Sequence, residues 1–171
     1  MLHICLGPMY SGKTSKLIEM FTLNPDLNKV IIDFDVDKHT KCYNGILKNH
    51  NNVQIKCIKT TTLYNNEYKF NHIYINEAQF FPDLFDFVLE QLNTSGKNIY
   101  IYGLDGDFEQ KKIGSILDLI PYCDTICKLN SICKKCNKKA IFSKRITDSK
   151  EQYLPDINSY IPVCRNCLYI V

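Results

Sequence analysis

Arginine is nearly missing from this chain. Of 21 basic residues among 171, only Arg145 and Arg165 are arginines, and we attach no function to the accompanying abundance of Lys, Asn and Ile. Net charge is also scarce: a formal +3 is too small to argue for nucleic acid as a general partner. Lys134, Lys135, Lys138 and Lys139 crowd one stretch, which a solvated face or loop explains. No segment approaches the roughly 20 apolar residues of a membrane span, so no membrane partner is expected. Met1 leads directly into an apolar run, so no signal peptide is expected. At 45% apolar and 23% charged residues, the composition is that of an ordinary soluble globular protein. The length suits one domain, or one domain with a small appendage.

Nine cysteines would suggest disulfides in a secreted chain, but nothing else points to secretion, and a reducing cytoplasm is the expected compartment. Cys5 and Cys57 lie in apolar runs and read as small buried hydrophobes. Four others form two knuckles, Cys133-x-x-Cys136 and Cys164-x-x-Cys167. Four thiolates in two such pairs match a closed, tetrahedral, structural Zn²⁺ site. Two disulfides or a redox pair are the competing readings. The gap between the knuckles exceeds the usual ribbon spacing of about 15–20 residues, so the insert is expected to project as an extended loop.

The stretch with the clearest chemistry is Gly7-Pro8-Met9-Tyr10-Ser11-Gly12-Lys13-Thr14. It matches G-x-x-x-x-G-K-[ST] in the context that motif needs, after an apolar strand and before a helical pattern. Its glycines let successive N–H groups converge on an anion, and the helix dipole adds to that field. Lys13 would reach the β- and γ-phosphates of ATP, and Thr14 would place its hydroxyl on Mg²⁺.

Strands are expected over Leu2–Leu6, Lys29–Phe34, Val53–Ile58, His72–Ile75, Asn98–Leu104 and Thr125–Leu129. One helix should follow Lys13 and stop near Asn24-Pro25; another should open at Pro82 and stop at Gly96. The polar stretch from Asp35 to Asn52 reads as a loop, with or without short helical pieces, and Ile113–Ile120 as a short apolar segment. Apolar strands alternating with helices argue for an α/β fold with a mainly parallel sheet. Ligands should then sit at the carboxyl ends of the strands. From Asn130 the texture changes, and the remainder has too little apolar material for a core without a staple.

The strand ending His72-Ile73-Tyr74-Ile75-Asn76-Glu77 has the form of the second nucleotide-site strand of P-loop proteins, whose terminal acid assists Mg²⁺. Asn76 stands where an Asp is expected. Glu77 follows; it would orient water in an ATPase, take a proton from an acceptor hydroxyl in a kinase, or be a solvated acid at a strand end.

Together these pieces resemble the thymidine kinases of the cellular and poxviral type. The likeness runs from Gly7 to Cys167, through the phosphate loop, Glu-Ala-Gln-Phe-Phe-Pro-Asp (77–83), Leu-Asp-Gly-Asp-Phe (104–108), Ser-Lys-Arg (143–145) and Tyr160 ahead of Val-Cys-Arg-Asn-Cys (163–167). The resemblance implies a P-loop, RecA-like α/β domain over residues 1–130 and a small zinc-ribbon or lasso domain over 131–171 that closes on a nucleoside. It implies transfer of the ATP γ-phosphate to the 5′-hydroxyl of thymidine or deoxyuridine, in pyrimidine salvage, with Glu77 as base. Asn76, Glu77, Ala78 and Gln79 would border the phosphates; Met9, Phe80, Leu104, Phe108 and Ser143 would line the nucleoside pocket. Gln152, Tyr153, Leu154 and Pro155 would close over the base, with Tyr160 fixing that segment. On spacing alone Met9, Phe80, Leu104 and Tyr160 are equally well explained as core. A homotetramer and feedback by the end-product triphosphate are further implications. Asn76 departs from the family pattern, as do Asp37-Lys38-His39 in place of an Asp-x-Arg, with Lys38, His39 or Lys41 as stand-ins. The paired lasso glycines are absent around Leu154-Pro155-Asp156, and Ile113 replaces the aromatic before Gly114. Two other readings stay open: a nucleic-acid-binding ATPase with a zinc ribbon, and a family member that binds nucleotides without catalysis.

Overall fold

Runs of β-branched and apolar residues that are covered on both sides become parallel strands, and they form the middle of the sheet here, whereas Thr125–Lys128 at one edge is exposed throughout. The computed structural model describes residues 1–35, 42–64 and 69–169. Its strands are β1 (Leu2–Leu6), β2 (Lys29–Phe34), β3 (Cys42–Lys48), β4 (Gln54–Thr60), β5 (His72–Asn76), β6 (Asn98–Gly103) and β7 (Thr125–Lys128). They form one sheet in the order β3-β4-β2-β5-β6-β1-β7. All neighbours are parallel except β3, which runs antiparallel to β4 at one edge.

The period of two along each strand divides the core. Ile73 and Ile75 join Leu2, Ile4, Ile99 and Ile101 on one face, packed on Leu84, Phe87 and Val88 of helix α2 (Leu84–Ser95). Tyr74 joins Cys5, Ile31 and Tyr102 on the other, against Leu17 and Ile18 of helix α1 (Lys13–Leu23). Helix α1 ends with Asn24 as its C-cap, just ahead of Pro25, and α2 ends on Gly96.

Beyond the sheet, β8 (Ser131–Ile132) pairs with β9 (Lys139–Ala140), and β10 (Phe142–Arg145) with β11 (Tyr160–Val163). A short helix, α3 (Arg165–Leu168), follows. Cys133, Ala140, Val163, Cys164, Cys167 and Leu168 make a small core of their own.

Three expectations need correction. The stretch from Asp35 to Asn52 is not all loop, because it contains β3. Leu47 is buried while Ile46 is exposed, the alternation of a strand with one covered face, which the surrounding polar residues mask in the sequence. The segment before Pro121 continues through it as a tight 3₁₀ turn, Ile116–Tyr122. The insert between the cysteine knuckles is not simply an extended loop: it carries β9, β10 and β11, and only residues 146–159 form a flap between the last two.

Candidate active site

The phosphate loop leaves β1 and enters α1 at the carboxyl end of the sheet. Gly12 adopts a left-handed conformation (φ 82°) at the entry to the helix, where an L side chain would be strained. The Lys13 ammonium is folded back into the loop and donates to the Gly7 carbonyl at 3.0 Å and the Pro8 carbonyl at 2.9 Å. Burial pushes its pKa down, and the negative charges of Glu77 and Asp105 oppose that shift. The Ser11 hydroxyl is buried and has no hydrogen-bond partner among the described residues. An orphaned donor inside a loop of this form fits a phosphate oxygen.

A cleft of about 160 Å³ opens beside the loop, lined by Met9 through Ser15, His50, Glu77 and Leu104, and closed by Tyr153, Pro155 and Ile157 from the flap. Gly7 and Pro8 stand behind it as acceptors for Lys13. Glu77, immediately after β5, is left-handed (φ 50°). Its Oε2 accepts from Gln79 Nε2 at 2.7 Å, and Gln79 Oε1 accepts from the Leu104 N–H at 3.0 Å. Gln79 thus ties the carboxylate to the end of β6. Gln79 and Ala78 are buried. Gly114 is left-handed as well (φ 55°), and a Cβ there would overlap the Gln79 carbonyl.

Asn76 is buried and donates from Nδ2 to Asp33 Oδ1 at 2.8 Å. Lys59 Nζ lies 3.3 Å from Asp33 Oδ2. Burial raises the Asp33 pKa, and the Asn76 and Lys59 contacts oppose that shift.

A second, nearly filled void of about 10 Å³ is bordered by Met9, Leu104, Phe108, Ser143, Gln152, Tyr153 and Tyr160. The Met9 N–H donates to Ser143 Oγ at 2.9 Å, tying the phosphate loop to β10. Phe80 reaches the group through Tyr153, with ring centroids 4.4 Å apart. Burial, then Glu77 and Tyr160, push the Tyr153 phenol up to about 12. The Leu154 N–H donates to the Tyr160 hydroxyl at 2.8 Å. The Gln152 side chain donates to Asp107 Oδ2 at 3.0 Å and to the Lys112 carbonyl at 3.2 Å. The structure therefore brings the expected nucleoside residues to one place, with Pro155 on the phosphate side of the same flap.

Some residues of this site carry no signal in the sequence. His50 sits at the turn between β3 and β4 and stacks on Tyr10, centroids 5.4 Å apart. Asn49 anchors that turn through Ser15 Oγ at 3.1 Å. Arg145 donates to the Ser149, Glu151 and Gln152 carbonyls and to the Tyr160 hydroxyl, and lies 3.9 Å over the Phe108 ring. It is the hub on which the flap is folded; the sequence showed it only as part of Ser-Lys-Arg (143–145), with no role attached. Asp37, Lys38, His39 and Lys41 lie outside the described residues.

The Sγ atoms of Cys133, Cys136, Cys164 and Cys167 lie within 4.8 Å of one another, and all four thiols are free. Cys136 and Cys164 approach to 3.5 Å. Tetrahedral sulfurs about 2.3 Å from a Zn²⁺ would be about 3.8 Å apart, so the cluster fits that ion. Cys133, Cys164 and Cys167 are buried and Cys136 is exposed.

No helix among the described residues is long and apolar enough to cross a membrane. A family model described as thymidine kinase matches residues 1–168. The thymidine kinase of sheeppox virus (strain KS-1) is 34% identical over 99% of this chain and 97% of its own. That of Oryza sativa subsp. japonica is 32% identical over 96% of this chain and 64% of its own. Thymidine kinase 1 of Dictyostelium discoideum is 33% identical, covering 97% and 76%.

Proposed function

Because the chain belongs to the thymidine kinase family, we infer that it transfers the γ-phosphoryl group of ATP to the 5′-hydroxyl of thymidine, giving dTMP and ADP. The observation that carries this reading is the common cleft: the phosphate loop, Glu77 and the flap residues Tyr153 and Pro155 border one space. Nothing in the comparisons favours a nucleic-acid-stimulated ATPase.

The roles follow from chemistry. The loop amides and Ser11 bind the β- and γ-phosphate oxygens, and Lys13 leaves the Gly7 and Pro8 carbonyls to neutralise them. Thr14 would hold Mg²⁺, which when bound shields the charge of the triphosphate. Glu77, held by Gln79, accepts the 5′-hydroxyl proton as that oxygen attacks the γ-phosphorus and the bond to ADP breaks. Phosphoryl transfer asks for little covalent work, so positioning carries most of the rate. Met9, Phe80, Leu104, Phe108 and Ser143 receive the nucleoside. Gln152 to Pro155 close on it with Tyr160 behind them, and Cys133, Cys136, Cys164 and Cys167 would hold a Zn²⁺ that fixes both ends of that closing segment. Residues 1–130 and 131–171 act as the nucleotide-binding and closing units. Acceptance of deoxyuridine, a homotetramer and feedback by the end-product triphosphate belong to the same proposal.

The test is to incubate the chain with ATP, Mg²⁺ and a panel of deoxynucleosides, and to identify the monophosphates. Formation of dTMP is expected; ATP hydrolysis without any monophosphate would overturn the reading.

A further inference from the structure

A P-loop site normally has a carboxylate at the end of the strand that here finishes with Asn76, and this chain has put an amide there. The adjacent strand supplies the missing acid. Asp33 is the β2 residue directly alongside Asn76 in the parallel register, and the two are joined at 2.8 Å by the Asn76 Nδ2. The Asp33 side chain is 8% exposed. A carboxylate withdrawn so far from water is strongly disfavoured unless it is paired. Its partners are that amide and Lys59, which is itself partly exposed.

The strand order gives the contact a direction. β2 lies on one side of β5, whereas β6 and β1, which carries the phosphate loop, lie on the other. With its NH₂ fixed on Asp33 of β2, the Asn76 amide can turn its carbonyl oxygen only away from that carboxylate. A hydrogen bond to a carboxylate also makes that carbonyl a stronger acceptor, as partners behind a metal's immediate ligands do elsewhere.

We propose that Asp33 is a positioning residue for the Mg²⁺ of bound ATP: it orients the Asn76 amide and supplies, through it, the negative charge that position 76 lacks. The proposal rests on the kinase reading above and goes beyond it. Asn76 would offer its carbonyl oxygen on the metal's side, and Asp33 and Asn76 together would take the place of one carboxylate at the strand end.

The test uses the full chain with Mn²⁺ in place of Mg²⁺ and ADP as the nucleotide, with bound Mn²⁺ read by electron paramagnetic resonance in the absence of thymidine. Asp33→Asn should weaken Mn²⁺·ADP binding roughly ten- to a hundredfold, while metal-free ADP binding is unchanged. The exchange variant Asp33→Asn/Asn76→Asp restores one carboxylate and one amide in reversed order and should recover Mn²⁺·ADP binding. Unchanged Mn²⁺·ADP affinity in Asp33→Asn, or a folded exchange variant no better than that single variant, would overturn the proposal. Should Asp33→Asn not fold, Asp33→Ser decides, and Mn²⁺·ADP affinity equal to that of the unaltered chain counts against the proposal. Failure of the unaltered chain to make dTMP would instead strike the kinase reading, since the metal-binding arms involve no thymidine.

Discussion

Tyr153 of the flap lies on Phe80, at the far side of the turn that carries Glu77, with ring centroids 4.4 Å apart and planes tilted by 56°. Tyr153 also borders a void of about 10 Å³ at the proposed nucleoside position, space for about one water. A thymine ring does not fit until the flap shifts.

Thymidine is therefore expected to change amide hydrogen exchange in residues 150–156 and around Phe108, and to leave β1 and β2 as they were. Identical exchange with and without thymidine would place the nucleoside elsewhere.

Glu77→Gln keeps the shape and the hydrogen-bonding reach of the side chain but removes its basicity. It should lower kcat by about 10²–10⁴, with MgATP affinity essentially retained. Turnover near that of the unaltered chain would remove Glu77 from the proton transfer.

Tyr160→Phe strips the hydroxyl that takes the Leu154 N–H and the Arg145 guanidinium. Leaving such buried donors without an acceptor costs about 1–3 kcal/mol. The KM for thymidine should rise by about tenfold, the equivalent of about 1.4 kcal/mol, with the KM for ATP unchanged. Equal shifts in both would mean a general loss of fold instead of a loosened flap.

The Tyr153 phenol, pushed up to about 12, keeps its proton throughout the neutral and mildly alkaline range. The pH–rate profile of Tyr153→Phe should accordingly superimpose on that of the unaltered chain. A lost inflection in that range would show the phenol taking part in proton transfer.

Cys133→Ser removes one of four sulfurs that lie within 4.8 Å of one another. Metal analysis should find about one Zn²⁺ per unaltered chain and far less in the variant, together with faster proteolysis after residue 130. A variant that keeps its zinc would contradict the four-thiolate site.

The sequence disclosed those parts of the molecule whose cause is local. β1 and β2 begin and end where their apolar runs do, and the phosphate loop is a contiguous motif. The edge strand β3 escaped notice because one of its faces meets water and its composition is that of a loop. The cysteine spacing announced a metal site, yet it could not say that the intervening chain doubles back over the phosphate loop, since that rests on contacts such as Met9 to Ser143. The Asp33–Asn76 bond joins residues 43 positions apart. Asn76 alone was visible, as a missing charge, and its neighbour became visible only when the strands were laid side by side.

Gly114 has a consequence for how variants of this chain will sort. It has no assigned contact with phosphate or nucleoside, yet any side chain at that position would collide with the main chain of Gln79, the residue that steadies Glu77. A saturation survey scored on growth or turnover would therefore rank position 114 among the least forgiving, beside residues that handle the reactants. Its intolerance would report crowding behind the base, and reading it as chemistry would assign a catalytic part to a residue that has no functional group to offer.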